Sequence, residues 1–261
     1  MLITLSPSKG QDFDTPTPSE LYSIPDQLSD SQLLIEKAKK LDVKDVRELM
    51  AVSENISILN VERFNTWKTP FNPDNAKPAL FAFKGDVYSG IQKEKYDDND
   101  LAYAQEHLRI LSGLYGALRP MDLIQPYRLE MKTKLKNKRG DNLYQFWGER
   151  ITDKLNETLK GHTEEVLVNL ASNEYFKSVK PKKLNGRLLN INFKETKEGN
   201  TRVVAIFAKR ARGMMTDFIL RNRIEYAEDI KDFGAGGYNY SAQESTADNW
   251  VFTRPQPAPK K

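Results

Sequence analysis

A two-glycine segment near the middle of the chain has the residue types of a phosphate-binding turn. It consists of Leu111-Ser112-Gly113-Leu114-Tyr115-Gly116. Glycine has no Cβ, so backbone N–H groups at such a turn can approach a partner closely. Oriented N–H groups hold an anion without reading base identity. The pattern is typical of a helix-hairpin-helix turn on a DNA phosphate, and a glycine C-cap between two packed helices has the same pattern.

The residues around this turn define the element that would hold it. Apolar residues precede the turn at helical spacing, namely Leu101, Ala104, Leu108 and Leu111. Pro120 pushes Arg119 out of α geometry, so a short second helix is predicted from Pro120 to about Pro126. The hairpin element therefore covers about residues 100–126. We expect eight residues to contact double-stranded or distorted DNA: Gly113, Leu114, Tyr115, Gly116, Arg119, Arg128, Lys132 and Lys134.

A second set of polar residues follows apolar segments that resemble strands. Ligands of open α/β sheets bind beyond the carboxyl ends of parallel strands, so these residues could share one anion site. The predicted anion-binding residues are Lys9, Lys84, Asn173, Lys209, Arg212 and Gly213. Gly213 is included because a helix predicted from Met214 would present its N-terminus to an anion.

Two carboxylates adjoin these cations and are the candidates for catalysis. Asp86 and Glu174 could transfer a proton or hold a hydrated metal ion. The alternative is that they are surface residues in ordinary salt bridges. The chain has no Ser-His-Asp set, Walker loop or dinucleotide fingerprint that would strengthen an enzymatic interpretation.

Composition excludes several classes of protein. The 261 residues include no cysteine, which excludes disulfides, thiol catalysis and cysteine-ligated clusters, and only two histidines, His107 and His162. No metal site and no cofactor are predicted. No apolar run approaches the ~20 residues that cross a bilayer, and the first residues lack the features of a signal peptide. We therefore expect a cytoplasmic protein without a membrane partner.

The net charge of +4 matters less than where the charges lie. Basic residues recur in three later segments, 132–139, 177–187 and 209–223, while the first hundred residues are more acidic. This distribution predicts a basic face on a nearly neutral body, although any one run could be an ordinary solvated surface.

The pattern of apolar residues predicts a single α/β domain over residues 1–254, with a mixed, largely buried sheet surrounded by helices. Strands are predicted at 2–5, 79–83, 166–170, 188–193 and 202–208. Helices are predicted at about 30–40, 44–50, 55–67, 142–159 and 214–223. Residues 255–261 are predicted to be a disordered tail.

Six separated blocks of the sequence resemble the YaaA family of bacterial peroxide-stress proteins. They are Met1–Lys9, Phe83–Tyr88, Arg109–Met131, Leu143–Gly148, Asn169–Lys180 and Lys209–Met215. The blocks occur in the right order, and the similarity extends to about Tyr238. The resemblance implies a cytoplasmic DNA-binding protein with an unusual α/β fold that limits iron-driven oxidative damage. Pro120 departs from the generic helix-hairpin-helix pattern but belongs to the pattern of the family.

Three functions remain open from the sequence. The first is DNA binding in the peroxide-stress response through a Gly-x-x-Gly hairpin. The second is an enzyme that acts on a nucleotide or another phosphate-bearing small molecule at the strand ends. The third is a module that binds an acidic protein. The sequence decides neither the reaction nor the oligomeric state.

Overall fold

The computed structural model describes residues 1–258 and is built around a mixed eight-stranded sheet. The strands are β1 (Leu2–Leu5), β2 (Gly10–Gln11), β3 (Lys77–Pro78), β4 (Phe83–Lys84), β5 (Leu108–Ser112), β6 (Gly116–Leu118), β7 (Leu123–Ile124), β8 (Val166–Asn169), β9 (Arg187–Lys197), β10 (Asn200–Arg202), β11 (Asn239–Tyr240) and β12 (Asn249–Pro255). The order across the sheet is β11-β12-β9-β8-β1-β5-β6, and β10 pairs with β9. Two short ribbons, β2–β4 and β3–β7, lie outside it.

The middle of the sheet is parallel and buried. β1 lies between β5 and β8 and runs parallel to both, with Thr4 opposite Arg109 and Asn169. β9 and β12 continue the parallel arrangement. All four residues of β1 are buried although their side chains alternate between the two faces, so both faces are covered. The α/β prediction, with a mixed and largely buried sheet in one domain, is confirmed.

The helices cover this sheet and the segments between its strands. They are α1 (Leu28–Ala38), α2 (Val43–Met50), α3 (Glu54–Thr66), α4 (Ala79–Ala82), α5 (Asp98–His107), α6 (Leu143–Trp147), α7 (Arg150–Leu159), α8 (Asn173–Phe176) and α9 (Ala205–Arg221). Asp42 and Asp97 begin α2 and α5 with complete capping boxes, which satisfy backbone N–H groups at those ends. Among residues 1–258, no helix combines the length and apolarity needed to cross a membrane.

Most elements with a clear apolar period were predicted correctly. β1 and β8 occupy the predicted segments, and α1, α2 and α3 begin and end within two residues of the predicted bounds. The predicted helix 142–159 is two helices, because Gly148 adopts a positive φ of 54° between α6 and α7.

Two apolar runs predicted as strands are helical instead. The run 79–83 forms α4 and only then enters β4, outside the central sheet. In the run 202–208, only Arg202 belongs to a strand and α9 begins at Ala205. The buried residues Ala208, Ala211 and Met215 recur at helical spacing, so the helical period continues into the predicted strand.

The prediction places the start of the disordered tail too early in the chain. Pro255 is the last residue of β12 and lies opposite Thr196, and the Gln256 N–H donates to the Thr196 carbonyl at 2.9 Å. Residues 259–261 of the predicted tail lie outside the described residues.

The helix-hairpin-helix prediction is wrong. α5 ends at His107, and the following residues form β5, which pairs with β1. β6 pairs antiparallel with β5, so the two glycines lie in a β-hairpin. Residues 120–126 contain turns and β7 in place of a second helix. Leu108 and Leu111 fit a helical spacing, but pairing with β1 buries the whole of β5.

Candidate functional site

The carboxyl ends of β1 and β8 lie side by side and carry a polar network. The backbone N–H of Ser172 donates to Ser6 Oγ at 2.8 Å, and the Ser6 hydroxyl lies 3.3 Å from Ser172 Oγ. The Tyr88 hydroxyl donates to the Ser6 carbonyl at 3.1 Å. These bonds join the segment after β1 to the segment after β8 and to the 3-10 turn Tyr88–Gly90. The two strands therefore end together, as predicted.

Glu130 is a buried carboxylate among the cations next to these strand ends. Its side chain is only 7% exposed, and its Oε1 lies 2.8 Å from Lys9 Nζ and 3.8 Å from Lys132 Nζ. Arg128 Nη2 donates to Oε2 at 3.2 Å. Burial alone would raise the pKa of Glu130, but the hydrogen bond and charge of Lys9, together with Arg128, hold this pKa below its ordinary value. We call Lys9, Arg128, Glu130 and Lys132 the Glu130 cluster.

The Glu130 cluster extends to the first turn of α8. Lys132 Nζ lies 4.0 Å from Glu174 Oε2, and the Lys132 backbone N–H donates to Glu174 Oε1 at 3.5 Å. Asn173, the first residue of α8, is exposed beside it. Lys9, Lys132, Asn173 and Glu174 therefore lie together beyond the carboxyl ends of β1 and β8.

A second group of predicted residues adjoins the segment that carries Lys9. Gly10 pairs with Lys84 in the β2–β4 ribbon, and Ser8 Oγ donates to the Lys84 carbonyl. Lys209 Nζ lies 4.0 Å from Asp86 Oδ2, with both side chains about half exposed. Such loose, solvated pairs contribute little to stability. Asp86 and Glu174 each lie near a different lysine, and no contact joins them as a catalytic pair among the described residues.

The position of Gly213 contradicts its predicted role at a helix N-terminus. It lies in the middle of α9, where its N–H is part of the helix. An added Cβ would lie 2.9 Å from the Val87 carbonyl carbon and 3.1 Å from Gly90 Cα. Gly213 therefore permits close packing of α9 on the 3-10 turn, and it offers no free N–H to an anion.

Arg212 follows Lys209 by three residues on α9, so both lie toward the same side of the helix. Within the part of the chain that the structure describes, its guanidinium has neither a salt bridge nor a hydrogen bond. Burial lowers the pKa of Arg212 without a compensating carboxylate. A partly desolvated guanidinium of this kind remains available to an anion.

The turn of the β-hairpin is inside the protein. Gly113, Leu114, Tyr115 and Gly116 are all buried. The Gly113 carbonyl accepts from Trp147 Nε1 at 3.0 Å, and the Tyr115 hydroxyl accepts from Trp67 Nε1 at 3.0 Å. These four residues cannot contact a DNA phosphate without unfolding, so the prediction that they form the phosphate site is wrong.

The two predicted arginine contacts are already engaged with protein groups. Arg119 contacts Asp122, at 2.9 Å, and Asp26, at 3.1 Å, and donates to the Ile24 carbonyl at 2.7 Å. Arg128 is 18% exposed and bound to Glu130. Both side chains therefore serve mainly to fix the surface segments that carry them.

The lysines after Arg128 are different because they face solvent. Lys132, Lys134, Lys136 and Lys138 are exposed, while the intervening Met131, Thr133 and Leu135 are buried. This alternation is that of an extended segment with one face against the core. Of the eight predicted DNA contacts, Lys132 and Lys134 are the two that the fold leaves accessible.

Sequence reasoning missed Glu130, Ser6 and Ser172. Each is a common residue type without a motif of its own. The one local signal was Glu130 between Arg128 and Lys132, since two flanking cations favour a carboxylate that organises them. Its burial depends on segments far away in sequence.

Replacement of Glu130 by glutamine is expected to lower the free energy of unfolding by about 1–3 kcal/mol at pH 7, because charge-assisted hydrogen bonds to Lys9 and Arg128 are weakened. The folded-state pKa of Glu130 lies below the ordinary value of 4.5, so its contribution is present above about pH 4.5 and is lost as pH falls through the folded-state pKa. Urea unfolding of wild type and Glu130→Gln at several pH values should give curves that differ at pH 7 and converge in acid. Glu48→Gln, on the exposed side of α2, is the control. A difference that persists unchanged in acid would contradict the assigned ion pairs.

Comparisons with known proteins identify the family of this chain. The family model described as peroxide stress protein YaaA matches residues 1–244. A UPF0246 protein of Aliivibrio fischeri (strain MJ11) is 52% identical over 254 residues, covering 97% of this chain and 98% of that protein. A UPF0246 protein of Shewanella pealeana is 53% identical and is covered to 99%. The chain therefore belongs to the YaaA family of peroxide stress proteins.

Proposed function

We propose that this peroxide-stress protein binds the phosphate backbone of DNA through exposed lysines beside the Glu130 cluster. The observation that carries the proposal is the row Lys132, Lys134 and Lys136, whose side chains point to solvent from one extended segment. Lys132 is 63% exposed and Lys9, next to it at Glu130, is 59% exposed. Within residues 1–258, Lys134 and Lys136 have no salt-bridge partner. We call Lys9, Lys132, Lys134, Lys136 and Lys177 the lysine face.

Contacts between segments support the continuity of the lysine face. The Leu143 N–H donates to the Thr133 carbonyl at 3.2 Å, which joins the lysine row to α6. Tyr144 of α6 donates through its hydroxyl to the Glu174 carbonyl at 2.9 Å, and its ring lies 5.4 Å from Lys177 Nζ. The lysines of two separate basic runs therefore adjoin across α6 and α8.

The chemistry of this face favours phosphate over bases. Lysine is a mobile point charge that attracts phosphate without a fixed hydrogen-bonding fork. Contacts of this kind position a protein on DNA but do not read its sequence. Neutralised phosphates also release their condensed cations. Displacement of ferrous ions from DNA would move peroxide chemistry away from the bases, in line with a role in the cytoplasmic stress response that limits iron-driven damage.

The double variant Lys132→Glu/Lys134→Glu is expected to bind duplex DNA more weakly and to flatten the slope of log affinity against log salt. Each lost phosphate contact should reduce that slope by about 0.9, so two contacts give about 1.8. Fluorescence anisotropy with a labelled duplex of arbitrary sequence at a series of salt concentrations measures both quantities.

The matched control is Lys44→Glu/Lys160→Glu, which changes the net charge equally. Lys44 is exposed on α2. Lys160 is exposed at the end of α7, shortly before β8 begins, and therefore lies near the opposite end of that strand from the lysine face. Equal losses of DNA affinity in both double variants would show that the effect comes from net charge alone. An unchanged slope in Lys132→Glu/Lys134→Glu would remove the lysine face from the DNA interface.

A further inference from the structure

A small cavity with three lysines lies next to the β2–β4 ribbon and is separate from the lysine face. Its volume is about 260 Å³. The charged residues that line it are Lys77, Lys84, Lys93, Asp12 and Glu94. Pro16, Pro18, Phe81 and Tyr88 provide apolar walls. None of the predicted site residues except Lys84 belongs to this cavity.

Lys77 is a buried ammonium with few partners. Its side chain is only 8% exposed, and its Nζ donates to the Thr15 carbonyl at 2.5 Å. The nearest carboxylate oxygen, Asp12 Oδ1, is 4.0 Å away. An ammonium has three N–H donors. Two donors of Lys77 therefore have no hydrogen-bond acceptor among the described residues.

Asp12 cannot fully compensate Lys77, because its oxygens are held by a local turn. Its Oδ1 accepts from the Asp14 and Thr15 N–H groups at 3.1 and 3.0 Å, and Oδ2 accepts from the Thr15 hydroxyl at 2.9 Å. These bonds, with the backbone bond to Thr15 as the largest cause, lower the pKa of Asp12 to about 2. The carboxylate remains fixed toward its own turn and leaves the cavity side of Lys77 open.

Lys93 places a second desolvated ammonium at the same cavity. Its Nζ donates to the Leu80 and Phe83 carbonyls at 2.8 and 3.0 Å, around the end of α4. Burial, together with the charge of Lys77, lowers the pKa of Lys93 to about 8, although the charge of Glu94 opposes this shift. Burial lowers the pKa of Lys77 as well, and Lys84 adds to that effect. Lys77 is thus repelled by the ammonium groups of both Lys84 and Lys93.

We propose that this cavity binds a small oxyanion, the phosphate or carboxylate group of a small molecule, with Lys77 as its principal ligand and Lys84 and Lys93 as supporting charges. An anion would supply the missing acceptors of Lys77 and would remove the repulsion between the lysines. The volume lies below the ~300–1,000 Å³ of cavities for drug-sized ligands, so the occupant is compact. The site is independent of the DNA-binding proposal, because buried Lys77 cannot reach the backbone of an intact duplex.

The test is the stabilisation of the protein by inorganic phosphate and by acetate at constant ionic strength. Phosphate or acetate should raise the melting temperature of wild type and of Lys95→Met equally, since Lys95 is exposed and bonded to Gln92 outside the cavity. Lys77→Met should weaken binding of that anion by about tenfold or more, the loss expected for one charge-assisted hydrogen bond. The variant should melt at or above the wild-type temperature without anion, because a repelling charge is gone.

A second variant keeps the test decisive if Lys77→Met does not fold. Lys84 is exposed, so Lys84→Met should fold and should weaken anion binding severalfold. Absence of any anion-induced shift in wild type, or equal shifts in wild type, Lys77→Met and Lys84→Met, would overturn the proposal.

Two further arms identify the source of the anion and separate this site from the lysine face. Anion-induced stabilisation should survive in Lys132→Glu/Lys134→Glu, which has an intact cavity. A duplex with 5′-phosphate ends should bind wild type and Lys77→Met with the same affinity, as should its 5′-hydroxyl counterpart. Selective loss of affinity for the 5′-phosphate duplex in Lys77→Met would instead show that DNA ends supply the oxyanion, and would overturn its assignment to a small molecule.

Discussion

Gly113→Ala is expected to destabilise the protein by about 3 kcal/mol or more, because the added methyl group has no space. An alanine Cβ would lie 3.2 Å from the carbonyl carbons of both Leu129 and Glu130, and closer still to the Leu129 oxygen. These neighbours are backbone atoms, which cannot rotate away as the end of a side chain can. The hairpin would have to move away from the segment that carries Glu130. Urea unfolding followed by circular dichroism measures the loss.

Gly234→Ala is the matched control for Gly113→Ala. Nothing lies within 4 Å of the Cβ position at Gly234, and its φ of −126° is open to alanine. We expect a change within about 0.5 kcal/mol there. The folded fraction of Gly113→Ala should still bind DNA, since the turn is buried. Full stability with weakened DNA binding would instead restore the glycine turn to the DNA interface.

Gly213→Ala is expected to destabilise the protein by a similar amount, although alanine usually stabilises a helix relative to glycine. Alanine is favoured over glycine inside a helix by about 1 kcal/mol. Here the added Cβ would approach the Val87 carbonyl, and Gly90 lies directly opposite. α9 would be forced away from the 3-10 turn, and the Lys209–Asp86 pair, which joins α9 to the segment just before that turn, would separate. We expect a loss of about 3 kcal/mol or more in the free energy of unfolding.

Gly161→Ala is the control for Gly213→Ala, since its nearest neighbour, the Thr158 carbonyl oxygen, would lie at an ordinary 3.8 Å. Gly90→Ala should reproduce the effect of Gly213→Ala, because its Cβ would lie 2.7 Å from the Met214 nitrogen. A stabilised Gly213→Ala variant would show that α9 does not pack on the 3-10 turn at this distance.

The two glycine predictions both concern close backbone packing beside the candidate site. Gly113 allows the hairpin to pack on the backbone that carries Glu130, and Gly213 allows α9 to bring Lys209 to Asp86. The Glu130 cluster and the Lys209–Asp86 pair therefore depend on the backbone packing beneath them. Charge substitutions on the lysine face test binding, whereas the glycine substitutions test this backbone packing.

The sequence by itself determined those elements whose local residue pattern fits only one kind of secondary structure. The apolar runs of β1 and β8 are short, continuous and flanked by polar residues, as buried parallel strands require. The helices α1, α2 and α3 follow from the 3.6-residue period of their apolar residues, and Asp42 also caps α2. The sequence also indicated which charged residues follow the strands, since Lys9 comes soon after β1 and Glu174 soon after β8.

Only the tertiary structure decided the secondary structure of residues 108–118. Leu108 and Leu111 satisfy the helical spacing of α5, but they belong to β5 because Leu108 pairs with Ile3, more than a hundred positions away in sequence. Burial of β5 against β1 outweighs the weak local preference for a longer helix. The same pairing places the Gly113 turn inside the protein and removes it from DNA.

Tertiary structure also decided which charged side chains are accessible to a binding partner. Lys77 and Lys134 are the same residue type, yet Lys77 is enclosed by the turn that holds Asp12 while Lys134 faces solvent. Glu130 became the centre of a cation cluster only when the segment after β1 brought Lys9 to it. Local periodicity fixes where helices and strands form, but the availability of a charge depends on burial and on neighbours that are distant in sequence, so it becomes visible only in the folded chain.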